Sequence, residues 1–254
     1  MSRSELPVIA CVTAYNEEST IGAVISALKA CPLVDRVQVV DDGSEDATAA
    51  IAEALGARTL RLPRRVPVGE AIMHHLDDEE GEVILLWCDA DLVGLRPDHV
   101  GTLIDRFRMG QMMQVTSSRG VPPTWPGWAR NRVIKALWAW LFGPISGERA
   151  ILKSDFCAAK ALAASLQWSE MMRGYGIVLF LNWYASRFGG GSVTCYFDDL
   201  TQRQKYQKWK TDHPVRQMVA QWGQFAAVWG KIRLNRGRIE ALAVEQAPLP
   251  SSRF

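Results

Sequence analysis

The stretch Val37-Gln38-Val39-Val40-Asp41-Asp42-Gly43-Ser44 decides how the chain is read. Val37–Val40 has the β-branched apolar character of a short buried strand, and it stops at two carboxylates, a glycine and a serine. Behind it, Glu45–Leu55 has the pattern of a helix. Ser44 is its expected N-cap, Glu45 and Asp46 suit the positive end of its dipole, and Gly56 is its stop. A strand that ends in polar residues and leads at once into a helix is half of a β-α-β unit.

Working outward, the same grammar recurs. Pro7–Thr13 reads as a strand, followed by Tyr15-Asn16-Glu17-Glu18 and an apolar-periodic helix through Ile21, Val24, Ile25 and Leu28. Arg58–Leu62 is a third strand, Val68–Leu76 a third helix, and Val83–Trp87 a fourth strand, closed by Asp89-Ala90-Asp91. Alternation of this kind predicts an α/β protein with a mostly parallel sheet covered on both faces. Ligands of such sheets bind outside the carboxyl ends of the strands, where these three polar clusters converge. After residue 110 the pattern loosens. Gly120–Arg130 is a loop rich in Pro, Gly and Trp, and a helix is expected around Asn131–Phe142. Pro144–Ile151 reads as a turn and strand, Gly174–Phe188 as a helix, and Ser192–Phe197 as a strand.

Composition narrows the class. With 254 residues, the chain can bury about three quarters of its unfolded surface and needs no metal or disulfide staple to hold a core. Its 29 Lys and Arg against 27 Asp and Glu give no global cationic field, which argues against nucleic acid as a partner. Five cysteines without a Cys-x-x-Cys spacing argue against a disulfide framework and a cysteine-built zinc site, and are expected to fill the core. The longest apolar runs fall far short of the roughly 20 residues a bilayer demands, and Met1–Leu6 is polar, so a cytoplasmic location is expected. The four histidines lack zinc-helix spacing, and His74 and His75 are expected on an exposed helix.

Asp89 and Asp91, one residue apart at a strand end, can turn toward one hard cation, Mg²⁺ or Mn²⁺, with a substrate diphosphate completing the coordination. The same pair also reads as a solvated acidic turn. Asp41 and Asp42 can accept from a nucleobase imide or merely open a helix, and Tyr15 to Glu18 can contact base and ribose or merely cap.

Taken in order, Val12–Glu18, Val39–Ser44 with Asp46-Ala47-Thr48, Gly69-Glu70-Ala71 and Cys88–Leu92 resemble the family 2 glycosyltransferases, over about residues 7–200. Pro144–Ala150 and Gly174–Ile177 resemble the branch of glucosyl-3-phosphoglycerate synthases and small bacterial sugar transferases. The resemblance implies a GT-A nucleotide-diphospho-sugar transferase fold over residues 1–200, with a helical appendage over 201–254. It implies nucleotide contacts at Ala14, Tyr15, Glu17, Asp42, Ser44, Asp89 and Ala90, and metal contacts at Asp89, Asp91 and Gln202. Acceptor and sugar contacts follow at Ser146, Gly147, Arg149, Gly174 and Tyr175. Trp125 and Arg130 add aromatic and cationic character on the acceptor side. Three positions depart from the family pattern: Val68 stands where a Lys is frequent, Val178 where a Glu is, and Gln202 where a His is. Arg64 or Arg65 can replace the missing cation, and the Gln202 amide oxygen can replace imidazole.

The activity so implied is metal-dependent transfer of a sugar, with a uridine diphosphate sugar as the favoured donor, to a small or lipid-linked acceptor. Asp91 and Glu148 are the catalytic candidates, Glu148 as a general base with Asp198 or Asp199 behind it. The alternative is a relative that binds nucleotide sugar without turnover. Between Thr201 and Arg238, nine Lys or Arg accompany a helical stripe of Val215, Met218, Val219, Trp222, Phe225, Ala226 and Trp229. That stripe is expected to pack on the domain or on a second copy in a homodimer, or to lie on the inner face of an anionic membrane.

Overall fold

The computed structural model describes residues 2–76, 79–119, 148–174, 176–188 and 190–203, and near the carboxyl end 223, 226–235, 237–239 and 241. The first half follows the expected alternation: β1 (Val8–Ala14), α1 (Ile21–Ala30), β2 (Arg36–Asp41), α2 (Thr48–Ala54), β3 (Arg58–Arg61), α3 (Val68–Met73) and β4 (Ile84–Asp89). There follow β5 (Leu92–Val93), α4 (Pro97–Met109), β6 (Gln114–Arg119), β7 (Arg149–Leu152), α5 (Lys153–Ser165), α6 (Ser169–Arg173), α7 (Gly176–Phe188), β8 (Ser192–Phe197) and β9 (Thr201–Gln202).

The described strands form a seven-stranded sheet in the order β3-β2-β1-β4-β7-β6-β8, and a separate ribbon of β5 and β9. Pairing is parallel from β3 to β4 and between β6 and β8, while β7 runs antiparallel to both its neighbours. Strand period sorts the core into two layers. Val8, Ala10 and Val12 pack with Ile21, Val24 and Leu28 of α1 and Val100, Leu103 and Phe107 of α4. Ile9, Cys11, Leu85, Trp87 and Ile151 pack on the other face, against Phe156 and Leu162 of α5 and Ile177 and Phe180 of α7. The sheet is covered on both faces, as the continuous apolar strands demand.

Several local expectations change. α2 begins at Thr48 with Ala47 as its N-cap, so Ser44 does not cap it; the Ser44 Oγ accepts from the Asn16 N–H at 2.9 Å instead. Gly56 stops the helix in the left-handed region, with φ of 70°. His75 lies in a 3-10 turn after α3 and is buried, with its imidazole pulled down to about 3, chiefly by desolvation. Its helix is not an exposed one, because the turn folds back over β1 and β2. Cys11, Cys31, Cys88 and Cys195 are buried as expected, whereas Cys157 is exposed on α5. Toward the carboxyl end, Val228, Ile232 and Ile239 join the second core layer, while of the expected stripe Ala226 is exposed and Trp229 half-buried. Val215, Met218, Val219, Trp222 and Phe225 lie outside the described residues, as do the expected loop and helix between residues 120 and 142. The expected boundary after residue 200 falls immediately before β9, which pairs with β5.

Candidate nucleotide and metal site

The first two polar clusters are locked to each other. Asn16 takes φ of 54°, a left-handed conformation that Asn tolerates. Its Oδ1 accepts from the Glu45 N–H at 2.9 Å, while its own N–H reaches Ser44. The Glu17 N–H donates to Thr48 Oγ1 at 2.7 Å, and the Glu18 N–H to Asp46 Oδ2 at 3.1 Å. Ala47 returns a bond to Glu18 Oε2 at 3.2 Å. These contacts satisfy the free backbone N–H groups of two strand-to-helix turns at once. The Glu17 carboxylate is buried, with the Thr20 hydroxyl donating to its Oε2 at 3.1 Å. Part of the expected nucleotide contact set is thus the frame of the rim.

Asp42 follows β2 at the rim and is buried. Its N–H donates to the Ala14 carbonyl at 2.8 Å, and its Oδ1 accepts from the Val66 N–H at 2.5 Å. Burial pushes its carboxyl up, while Val66 and Arg65 pull the other way. Gly43, with φ of 75°, lets the chain pass the backbone of Arg64, which a Cβ would meet at 2.9 Å. The Arg65 guanidinium lies 4.6 Å from the Tyr15 ring centroid, so a cation and an aromatic face stand together beside the ends of β1 and β2. Asp41 Oδ1 is a buried acceptor without a hydrogen-bond partner among the described residues.

Asp89 ends β4 and Asp91 follows across a turn that leads into β5. The Gln202 side chain on β9 joins them. Its Nε2 donates to Asp91 Oδ1 and Oδ2 at 2.7 and 2.8 Å, and approaches Asp89 Oδ2 at 3.4 Å. Two carboxylates therefore converge on one point, which is the donor set a hard divalent cation asks for, with its remaining positions open to phosphate oxygens or water. Among the described residues, no third His, Cys, Asp or Glu joins them. Gln202 was expected to offer its amide oxygen; here the amide nitrogen faces the carboxylates, because only a donor is attracted to a pair of anions.

Glu148 and Arg149 lie deeper than the rim carboxylates. Both are fully enclosed. Glu148 Oε2 accepts from the Ser117 hydroxyl. Arg149 sits at the head of β7 opposite Trp87, with its guanidinium 5.7 Å from that ring and its Nη1 donating to Gln114 Oε1 at 2.9 Å. Desolvation pulls it down to about 10, against the opposing pull of Glu148 and Asp89. It braces the sheet beside the end of β4. Asp199 is held by Arg96 and lies 3.2 Å from His99, and Asp198 is exposed. Gly174 lies just after α6, beside the close contact of Gly69 with Met172. Ser146, Gly147, Tyr175, Trp125 and Arg130 lie outside the described residues.

Arg203 was not singled out from sequence. Its N–H donates to the Asp91 carbonyl at 2.8 Å and its guanidinium reaches Ser19. An open depression of about 330 Å³ lies there, lined by Asn16, Glu18, Ser19, Glu45, Asp46 and Arg203. No strand-end pattern marks Arg203; the contact exists because β9 returns to β5.

A doubly covered, mostly parallel sheet with carboxylates gathered at the ends of β2 and β4 is the arrangement of a nucleotide-sugar transferase fold. Residues 9–158 match the model of glycosyl transferase family 2, and the chain belongs to that family. It is 26% identical over 196 residues to a glucosyl-3-phosphoglycerate synthase of Petrotoga mobilis, covering 68% of this chain and 59% of that protein. Against the synthase of Mycobacterium tuberculosis it is 29% identical over 189 residues, covering 66% of this chain and 57% of that one. The chain thus spans under two thirds of the length of these relatives. A crystal structure of the mycobacterial synthase with Mn²⁺, UDP-glucose and phosphoglyceric acid aligns with a TM-score of 0.66 at 26% identity, over 89% of this chain and 79% of that one. Another, with Mg²⁺ and uridine diphosphate, aligns with a TM-score of 0.65 at 25% identity, again over 89% and 79%. The GT-A expectation for the fold is met. Among the described residues no helix is long and apolar enough to cross a membrane.

Proposed function

We propose that this protein is a metal-dependent glycosyltransferase that moves a sugar from a uridine diphosphate sugar to a small acceptor. The observation that carries the reading is the convergence of Asp89 and Asp91 on one point at the end of β4, beside Asp42 and Tyr15 at the ends of β2 and β1. The base is to lie against Ala14, Tyr15 and Asp42, with Glu17 and Ser44 shaping the turns beneath it. Ala90 holds the two carboxylates one residue apart. Arg65, over the Tyr15 ring and drawn to Asp42, suits the diphosphate. A bound Mg²⁺ or Mn²⁺ would supply charge stabilisation to the departing diphosphate, usually the largest catalytic contribution at such a site. The burial of Glu148 against Ser117 speaks for a retaining reaction over an inverting one that would use it as general base. The phosphoglyceric acid of the mycobacterial complexes is the first acceptor to try, and a lipid-linked acceptor the second. The burial of Val228, Ile232 and Ile239 favours packing of the carboxyl-terminal helix on the domain over a membrane contact or a dimer.

The test is calorimetric titration of uridine diphosphate with and without Mn²⁺, followed by a search for glucosylated product from UDP-glucose and phosphoglyceric acid. Metal-dependent nucleotide binding should fall roughly a hundredfold in Asp91→Ala while the circular dichroism spectrum is kept. Unchanged binding in that variant would remove the metal from this site. Binding without product on any acceptor would leave the protein a nucleotide-sugar binder.

A further inference from the structure

The ribbon of β5 and β9 has one evident consequence: it carries Gln202 to Asp91. Leu92 pairs with Gln202 and Val93 with Thr201. The strand is fixed on both sides. Arg203 N–H bonds the Asp91 carbonyl at 2.8 Å, and Asp199, just before β9, is held by Arg96 and His99 against the start of α4. Gly94, with φ of 84°, admits the Asp199 carbonyl, which a Cβ would meet at 2.7 Å. The Gln202 backbone is therefore held in place, and only its side chain is free to answer a ligand.

The amide nitrogen of that side chain covers both oxygens of Asp91, at 2.7 and 2.8 Å, and leans toward Asp89 Oδ2 at 3.4 Å. Donation to a carboxylate is among the stronger hydrogen bonds, and here it also offsets the repulsion between the buried Asp91 and the half-buried Asp89. A cation bridging Asp89 and Asp91 at metal–oxygen distances of about 2.1 Å would take up the space this nitrogen fills. Nitrogen and ion cannot both be there. Resting on the metal reading of the proposed function, we propose that Gln202 is a built-in stand-in for the cation: its amide holds the Asp89–Asp91 pair together in the metal-free protein and must be displaced when the metal enters. Gln202 then sets how much metal the enzyme needs. A residue acting as a ligand would have the opposite effect, which makes the sign of one substitution decisive.

The experiment titrates the full chain and its Gln202→Ala variant with Mn²⁺ alone, following free Mn²⁺ by electron paramagnetic resonance, and then repeats this with uridine diphosphate. Thermal unfolding is recorded with and without Mn²⁺. The variant should bind Mn²⁺ about tenfold more tightly, the strength expected of a charge-assisted hydrogen bond no longer competing. It should also melt lower than the native chain without metal and gain more from Mn²⁺. Affinity that falls in the variant would make Gln202 a ligand and overturn the proposal. Unchanged affinity and unchanged metal-free melting would make the contact incidental and overturn it as well. If neither protein bound Mn²⁺, even with uridine diphosphate, the metal reading of Asp89 and Asp91 would fail first, and the stand-in with it.

Discussion

The two halves of the sheet treat their polar residues in opposite ways. In the parallel half, β1 and β4 are apolar through most of their length, β2 keeps Gln38 against Glu79, and the carboxylates of Asp42, Asp89 and Asp91 gather at the strand ends. In the other half, the strands carry polar side chains inside the layer. Gln114 on β6 binds Arg149 on β7, Asn182 on α7 at 2.9 Å and Ser192 on β8 at 2.7 Å, while Ser117 closes on Glu148. Asp89 at the end of β4 and Asp91 beyond it meet the Gln202 amide, whereas the polar residues around the head of β7 are committed to one another. Arg149 heads β7 beside the end of β4, so what sets it and Glu148 apart from Asp89 is burial in this cluster and not place along a strand.

The strongest way to break this contrast is Arg149→Met. Removing one member of a buried charged cluster leaves Glu148 without its cation and Gln114 Oε1 without its donor, so a loss of about 3–5 kcal/mol is expected in urea unfolding. A loss no larger than that of a surface substitution would mean that the cluster does not brace the sheet. Adding Glu148→Gln should recover part of the loss, since the two residues act on each other.

Gly69→Ala probes the seam between the donor half and the segment leading to Gly174. A Cβ there would meet the Met172 carbonyl oxygen at 1.9 Å, which backbone movement alone can relieve. The neighbouring Arg173 also holds Glu70 at 2.7 Å. The expected cost is about 1–3 kcal/mol of stability, read as a lower urea midpoint. An unchanged midpoint would show that α3 and α6 are not closely seated.

Asp42→Asn has the smallest effect on stability and sharpens the rim side. Because burial raises its folded-state carboxyl above the unfolded value, the folded protein holds this proton more firmly. The resulting stabilisation is complete below the unfolded value of about 3.9 and is lost as pH rises through the raised one. Asn should remove that slope from a stability–pH profile. It should also weaken uridine diphosphate by about tenfold while sparing pyrophosphate. Equal losses for the two ligands would place the base elsewhere.

The sequence by itself determined the order of β1 to β4, the doubly covered sheet and the rim of carboxylates, because strand period, apolar runs and turn residues act locally and leave their pattern in consecutive positions. Motif order brought Asp42, Asp89 and Asp91 to light for the same reason. Only the tertiary structure decided that Ser44 receives the Asn16 N–H and does not cap α2. The same holds for the burial of Arg149 beneath Trp87 and for Gln202 facing the carboxylates with its nitrogen. Each of those outcomes joins residues far apart in the chain, 28 positions for Asn16 and Ser44 and 111 for Gln202 and Asp91. Whether a polar side chain ends up as ligand, brace or stand-in depends on the partner that folding brings to it, and that partner is not written beside it in the sequence.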